Sequence, residues 1–125
     1  MLNTIFRTVI LVFFLSLISG AFSSCQKAKD TIGVIIVKDS FGNTVAGATV
    51  VLHQDGAISQ QGNSTKPELR KTNTTDLNGR AEFTYELEAI FNIEAQKAEG
   101  NNVYTGSNVI RLLKEKTVTQ VVEIN

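Results

Sequence analysis

One thiol, one imidazole and a scatter of carboxylates are the side chains of this chain with chemistry to offer. Cys25 is the only cysteine, so an internal disulfide is excluded and the thiol stands available for modification. His53 is the only histidine. It belongs to the set Thr49, Val51, His53, which alternates with Ala48, Val50, Leu52 and so falls on the outward face of a half-buried strand. No Asp, Cys or second His shares a ligand spacing with it, and it reads as a solvated surface residue rather than a metal ligand or an acid/base. Glu82 and Glu94 have the look of an acid/base pair, yet each lies on the outward set of its own strand and reads as charged surface. Asp39 and Asn43 could offer oxygens to calcium, but no acidic partners stand at ligand spacing. The chain therefore reads as a non-enzyme, with no cofactor and no metal.

The thiol gains its meaning from what precedes it. Residues 1–7 carry the start amine and one cation, Arg7, and an apolar run of roughly ten residues begins at Val9. A membrane-spanning helix needs about 20 apolar residues. Gly20, Ser23, Ser24, Gln26 and Lys27 end this run too soon. Phe22-Ser23-Ser24-Cys25 resembles the junction of a bacterial lipoprotein signal, in the relaxed form of Bacteroidetes-type lipoproteins. That resemblance implies cleavage before Cys25, acylation of its thiol with a fatty acid such as palmitate, and residence at the outer membrane, on a face left open. The alternative is a secreted protein cut near Ser24, with Cys25 a free thiol. An unpaired thiol is unusual in an oxidising compartment, and acylation accounts for it.

Residues 1–24 are thus expected to be a signal peptide, 25–31 a lipidated tether and 32–125 one domain. The whole chain has 12 basic and 12 acidic residues, and losing Arg7 leaves one more acid than base. There is no basic excess to neutralise phosphates, so nucleic acid is not an expected partner. Cys25-Gln26-Lys27 resembles the export signal that follows the acylated cysteine of some surface lipoproteins, although Asp30 is the only acid present. Asp30-Thr31-Ile32 resembles the Bacteroidetes O-glycosylation pattern, which implies a glycan on Thr31.

The remaining residues must build the body. Residues 32–38 are rich in β-branched side chains, which suit a pleated surface. Ala81, Phe83, Tyr85 and then Phe91, Ile93, Ala95 form inward sets with polar residues between them. Asn78-Gly79 predicts a tight hairpin, residues 69–75 a polar edge strand guarded by Arg70 and Lys71, and 103–113 strand pieces interrupted at Gly106. In the closing strand, Val118, Val122 and Ile124 take the core face. The longest polar passage, 55–68, holds the only proline. Loops of that length are often functional, and Asp55, Gln60, Asn63, Lys66 and Glu68 are its candidate partner-binding residues.

About seven strands and no helical period after residue 25 predict an all-β, antiparallel sandwich. Asp39-Ser40-Phe41-Gly42-Asn43-Thr44-Val45-Ala46-Gly47-Ala48-Thr49-Val50, Thr75-Asp76-Leu77-Asn78-Gly79-Arg80-Ala81-Glu82-Phe83 and Phe91-Asn92-Ile93-Glu94-Ala95-Gln96-Lys97 resemble successive motifs of carboxypeptidase-regulatory-like, transthyretin-like and bacterial Ig-like domains. The resemblance implies a single Ig-like or transthyretin-like sandwich and says almost nothing of function. Hydroxyisourate hydrolases of this fold use several histidines and a terminal Tyr-Arg-Gly-Ser; Tyr104-Thr105-Gly106-Ser107 lacks the arginine. Lysine-to-asparagine crosslinks of pilin-type relatives would need Lys38 and Asn125, and no acid on a core face assists them. The expected role is a non-enzymatic outer-membrane lipoprotein with a protein partner in an envelope assembly. The alternative is a glycan- or peptide-binding module that uses residues 55–68.

Overall fold

The structure, a computed structural model, describes residues 1–18, 25–55 and 69–125. Helix α1 covers Leu2–Ile18, and the strands are β1 Thr31–Asp39, β2 Thr49–His53, β3 Lys71–Thr74, β4 Arg80–Tyr85, β5 Ala89–Glu99, β6 Asn102–Leu112 and β7 Thr117–Ile124. They form two sheets, one in the order β4-β1-β7 and the other β3-β2-β5-β6. Seven strands in two packed sheets make the chain an all-β sandwich. No helix among the described residues is long and apolar enough to cross a membrane.

Strand alternation decides what lies between the sheets. Ala81, Phe83 and Tyr85 of β4 are buried while Arg80, Glu82 and Thr84 are exposed. On β5 the buried set is Phe91, Ile93 and Ala95, and on β2 Val50 and Leu52. Ile35 and Val37 of β1, Ile110 and Leu112 of β6, and Val122 and Ile124 of β7 complete the core, with Val118 packed against it. Tyr85 and Phe91 stack across the sheets with ring centroids 4.4 Å apart. Leu2 to Leu15 of α1 are exposed and none of them enters this core.

Three local expectations give way to a different geometry. The sandwich is not purely antiparallel, because β1 pairs with β7 in parallel, from Ile32 opposite Thr117 to Asp39 opposite Ile124. First and last strands therefore run the same way, and the chain ends at the opposite end of the body from where β1 begins. Asn78-Gly79 makes a tight turn but no hairpin: β3 and β4 belong to different sheets, and the turn carries the chain across the gap. Gly106 does not interrupt β6, which is continuous. A Cβ there would lie 1.9 Å from the carbonyl oxygen of Glu123, so glycine marks a place where two backbones touch.

That contact joins the sheets along one flank. Thr105 and Asn125 exchange backbone hydrogen bonds, each 3.2 Å, and the Asn108 side chain donates to the carbonyl of Val121 at 2.8 Å. On the opposite flank, Asn73 and Lys71 of β3 donate their side chains to the carbonyls of Glu82 and Thr84 on β4. Lys71 also sits over the ring of Tyr85, 4.4 Å from its centroid. The expected guarding of β3 by Lys71 is thus directed inward across the sandwich, onto its neighbour's edge.

Gly106→Ala is expected to destabilise the fold by about 3 kcal/mol, because neither backbone can retreat without parting the sheets. Gly100→Ala, at φ 61° with nothing near its absent Cβ, is expected to cost only about 1 kcal/mol. Urea unfolding of the two variants checks the contrast, and equal losses would remove the crossing as the reason for the glycine.

Candidate functional site

The pairing registers sort the described strand ends and turns to one of two ends of the body. At the first end lie the tether before Thr31, the termini of β2, β4 and β6, and the starts of β3, β5 and β7. The turns at 39–47, 76–79 and 99–102 and residue Asn125 lie at the other. The nine residues of β1 hold the ends roughly 26 Å apart.

At the first end Cys25 is exposed. Thr31, only six residues on, is fully buried, and its hydroxyl oxygen accepts the backbone N–H of Glu115 at 2.9 Å. Ile32 N–H bonds the Lys116 carbonyl beside it. A glycan on Thr31 is incompatible with this packing, which corrects the expectation drawn from Asp30-Thr31-Ile32. The hydroxyl instead fixes the β6–β7 turn, where Glu115 takes a left-handed φ of 59°. Beside the tether a cleft of about 840 Å³ is lined by Asp30, Leu69, Lys71, Glu86 and Leu87, with Tyr85 and Phe91 also bordering it. The Tyr85 hydroxyl donates to the Leu69 carbonyl at 3.0 Å, and burial pushes its phenol up to about 12.

His53 departs most from expectation. It lies on the outward set of β2, yet it is 6% exposed. Its Nδ1 accepts the backbone N–H of Asp55 at 3.1 Å, and Glu94 Oε1 stands 3.1 Å from Nε2. Arg70 Nη1 reaches Asp55 Oδ2 at 2.7 Å, and Asn92 Nδ2 donates to the Asp55 carbonyl at 3.0 Å. A histidine followed two residues later by an aspartate was the available signal, hidden because period-two reasoning assigns a face without asking what covers it. Of the loop candidates, Asp55 is thereby shown to be engaged with its own fold. Gln60, Asn63, Lys66 and Glu68 lie outside the described residues.

Glu82 and Glu94 do not meet: they belong to different sheets and point from opposite outer faces. On the face that carries Glu94, a cleft of about 580 Å³ is lined by Thr49, Gln96, Thr105, Ser107 and Glu123. Hydroxyls, amides and carboxylates dominate it. No group of three or more His, Cys, Asp or Glu among the described residues could hold a metal ion.

The far end is built from two turns of one design. Asp39 Oδ1 accepts the N–H groups of Phe41 and Asn43, both at 2.9 Å, and Gly42 follows with φ 84°. Asp76 Oδ1 accepts those of Asn78 and Arg80, at 2.8 and 3.0 Å, and Gly79 follows with φ 72°. Such aspartate-closed turns give up little further freedom on binding. Each lifts one apolar side chain into solvent: Phe41 is 88% exposed and Leu77 93%. The turns are neighbours, since the position a Gly79 Cβ would take lies 2.8 Å from Thr44 Cβ. Thr75 ties them together, accepting the Ala48 N–H at 2.9 Å and donating to the Val45 carbonyl at 2.7 Å. Lys97 closes the same corner on the Ala46 carbonyl at 2.9 Å.

No family model matches the chain, and no curated protein matches its sequence. Among solved structures the chain is similar to a candidate carbohydrate-binding protein from Pseudomonas aeruginosa, at 10% identity and a TM-score of 0.49, over 84% of this chain and 95% of that one. A likeness at that level leaves the reading of this protein to its own residues.

The backbone bond from Asn43, with those of Phe41 and Gly42 behind it, holds the Asp39 carboxyl below its ordinary 3.8. A depressed carboxyl contributes stability that is present above the unfolded value and disappears as pH falls through the folded one. The acid-side loss attributable to Asp39 is therefore expected below pH 3.8. Asp39→Asn should flatten that part of the stability profile, as followed by denaturation between pH 2 and 5; an unchanged profile would argue that the turn stands without its carboxylate.

Proposed function

We propose that this protein is a lipid-anchored, non-enzymatic interaction module of the bacterial outer membrane, serving as an accessory subunit of an envelope assembly. One observation carries the reading: residues 1–15 are exposed and none of them enters the core, while Cys25 lies exposed just ahead of the first strand. A segment that contributes nothing to the core can be removed without cost to the fold, which is what a signal peptide requires. From an acylated Cys25, six residues lead to Thr31, a reach of about 20 Å. The body then stands with its tethered end toward the bilayer.

This orientation reassigns the partner surface. Asp55 and Arg70, which flank the loop singled out from the sequence, sit at the same end of the body as the tether, the end this reading turns toward lipid. Phe41 and Leu77 face away from it, on turns already rigid. Two large apolar side chains so fully exposed on neighbouring turns fit a partner protein with apolar pockets approaching from the far side.

A second reading, a glycan- or peptide-binding module, is favoured by the cleft over Thr49, Glu94, Gln96, Thr105 and Ser107. Its hydroxyl and amide lining suits a ligand rich in hydrogen-bonding groups. None of the described residues that line it carries an aromatic ring for sugar stacking, and it ranks second for that reason.

Cells fed a fatty-acid analogue are expected to label the wild type and not Cys25→Ser, which should leave the membrane fraction. An unlabelled wild type ends the anchored reading. In gently solubilised membranes, the double variant Phe41→Ser/Leu77→Ser should lose a stoichiometric companion about tenfold, whereas Leu87→Ser at the tethered end retains it. Equal retention by both would move the contact elsewhere on the body.

A further inference from the structure

We infer that His53 is the pH-sensitive element of a clamp that fastens Asp55 to Arg70, the two residues that bracket the 56–69 connection between β2 and β3. The inference does not depend on the lipid anchor or on the far-end contact, and it rests on four side chains whose positions are described.

Nδ1 of His53 accepts the Asp55 N–H at 3.1 Å. An imidazole nitrogen accepts a hydrogen bond only while it bears no proton, so this contact belongs to the neutral ring and places the ring proton on Nε2. Nε2 is buried and makes no hydrogen bond, with Glu94 Oε1 3.1 Å away. On the other side of the ring, Asp55 Oδ2 lies 3.5 Å from Nδ1, and it is the same oxygen that Arg70 Nη1 holds at 2.7 Å. Among the described residues, the charged groups facing the ring are thus Asp55 from the segment after β2, Glu94 from β5 and Arg70 from the segment before β3. Asn92 of β5 is neutral and holds the Asp55 carbonyl.

A proton added to Nδ1 reverses the polarity of that contact. The Asp55 N–H then confronts another donor and loses its acceptor. The nearest described group able to take the new proton's hydrogen bond is Asp55 Oδ2, so the ring and Arg70 come to share one oxygen, while Glu94 comes to face a cation instead of a neutral ring. The change gives two backbone segments a common cause to shift, because one carboxylate is bonded from both. Histidine side chains change charge between roughly pH 5 and 8, a range natural surroundings cross. No covalent step is involved; one proton is taken from solvent and returned to it.

The full chain, labelled with ¹⁵N and ¹³C and kept in detergent micelles, allows a direct test from pH 8 to pH 4.5. At pH 8 the ring nitrogen shifts are expected to report protonation on Nε2. On acidification the Asp55 amide and the Arg70 guanidinium signals should move together with the His53 ring carbons, with one midpoint. In His53→Asn, whose amide oxygen can replace Nδ1 as acceptor and does not titrate, both responses should vanish. The proposal is overturned by a proton on Nδ1 at pH 8, by a ring that titrates while Asp55 and Arg70 stay still, or by a ring that does not titrate at all. Because the tautomer and the shared midpoint are read in the wild type, it stays testable even where the variant folds poorly.

Discussion

Two backbones meet at Gly106, and the shape of the molecule follows from their meeting. β6 is the edge of the four-stranded sheet and β7 the edge of the three-stranded one. The carbonyl of Glu123 occupies the space a side chain at 106 would need. With no side chain between them, Thr105 and Asn125 pair directly, and the sheets close on each other along that flank. The angle and separation of the layers are then set for everything beyond the hinge, including the distance across which Tyr85 and Phe91 stack. Because β7 runs parallel to β1, the closure also ties the last strand to the first without a hairpin between them.

At the far end a second set of contacts makes physical sense of the sequence motifs. The threonine and aspartate of Thr75-Asp76-Leu77-Asn78-Gly79 have separate tasks. Thr75 is buried and holds the 45–48 segment through both functions of its hydroxyl, while Asp76 closes its own turn. Gly79 is required twice over, by its positive φ and by the Val37 carbonyl 3.0 Å from where its Cβ would stand. Lys97, the last residue of the third motif, bonds the carbonyl of Ala46 in the first. Stretches distant in the chain are thus the two sides of one corner.

The legible part of the fold was the part governed by a single strand's period. Ala81, Phe83, Tyr85 and Phe91, Ile93, Ala95 turned inward as their spacing required, and Val118, Val122 and Ile124 followed. What depended on a neighbour far along the chain was not legible. Gly106 looks like a break until Glu123 is beside it, and Asn78-Gly79 looks like a hairpin until β3 and β4 are assigned to different sheets. Thr31 looks like a polar residue at the edge of a tether, yet Glu115, 84 residues later, takes its hydroxyl. For the same reason His53 was placed on the correct face and given the wrong environment: alternation fixes direction, whereas burial is decided by Asp55, Glu94 and other groups around it.

The capping of the β4 carbonyls by Asn73 and Lys71, together with the fused β6–β7 flank, bears on how copies of this body can coexist. Strands with vacant hydrogen-bonding rims would stitch into ribbons that spread sideways. Here Asn73 and Lys71 occupy the carbonyls of Glu82 and Thr84 on one flank, and Thr105, Asn125 and Asn108 bond across the other, so at those positions the rims offer no template. At these capped positions contact with another molecule falls to side-chain shape and charge, which can discriminate, rather than to backbone, which cannot.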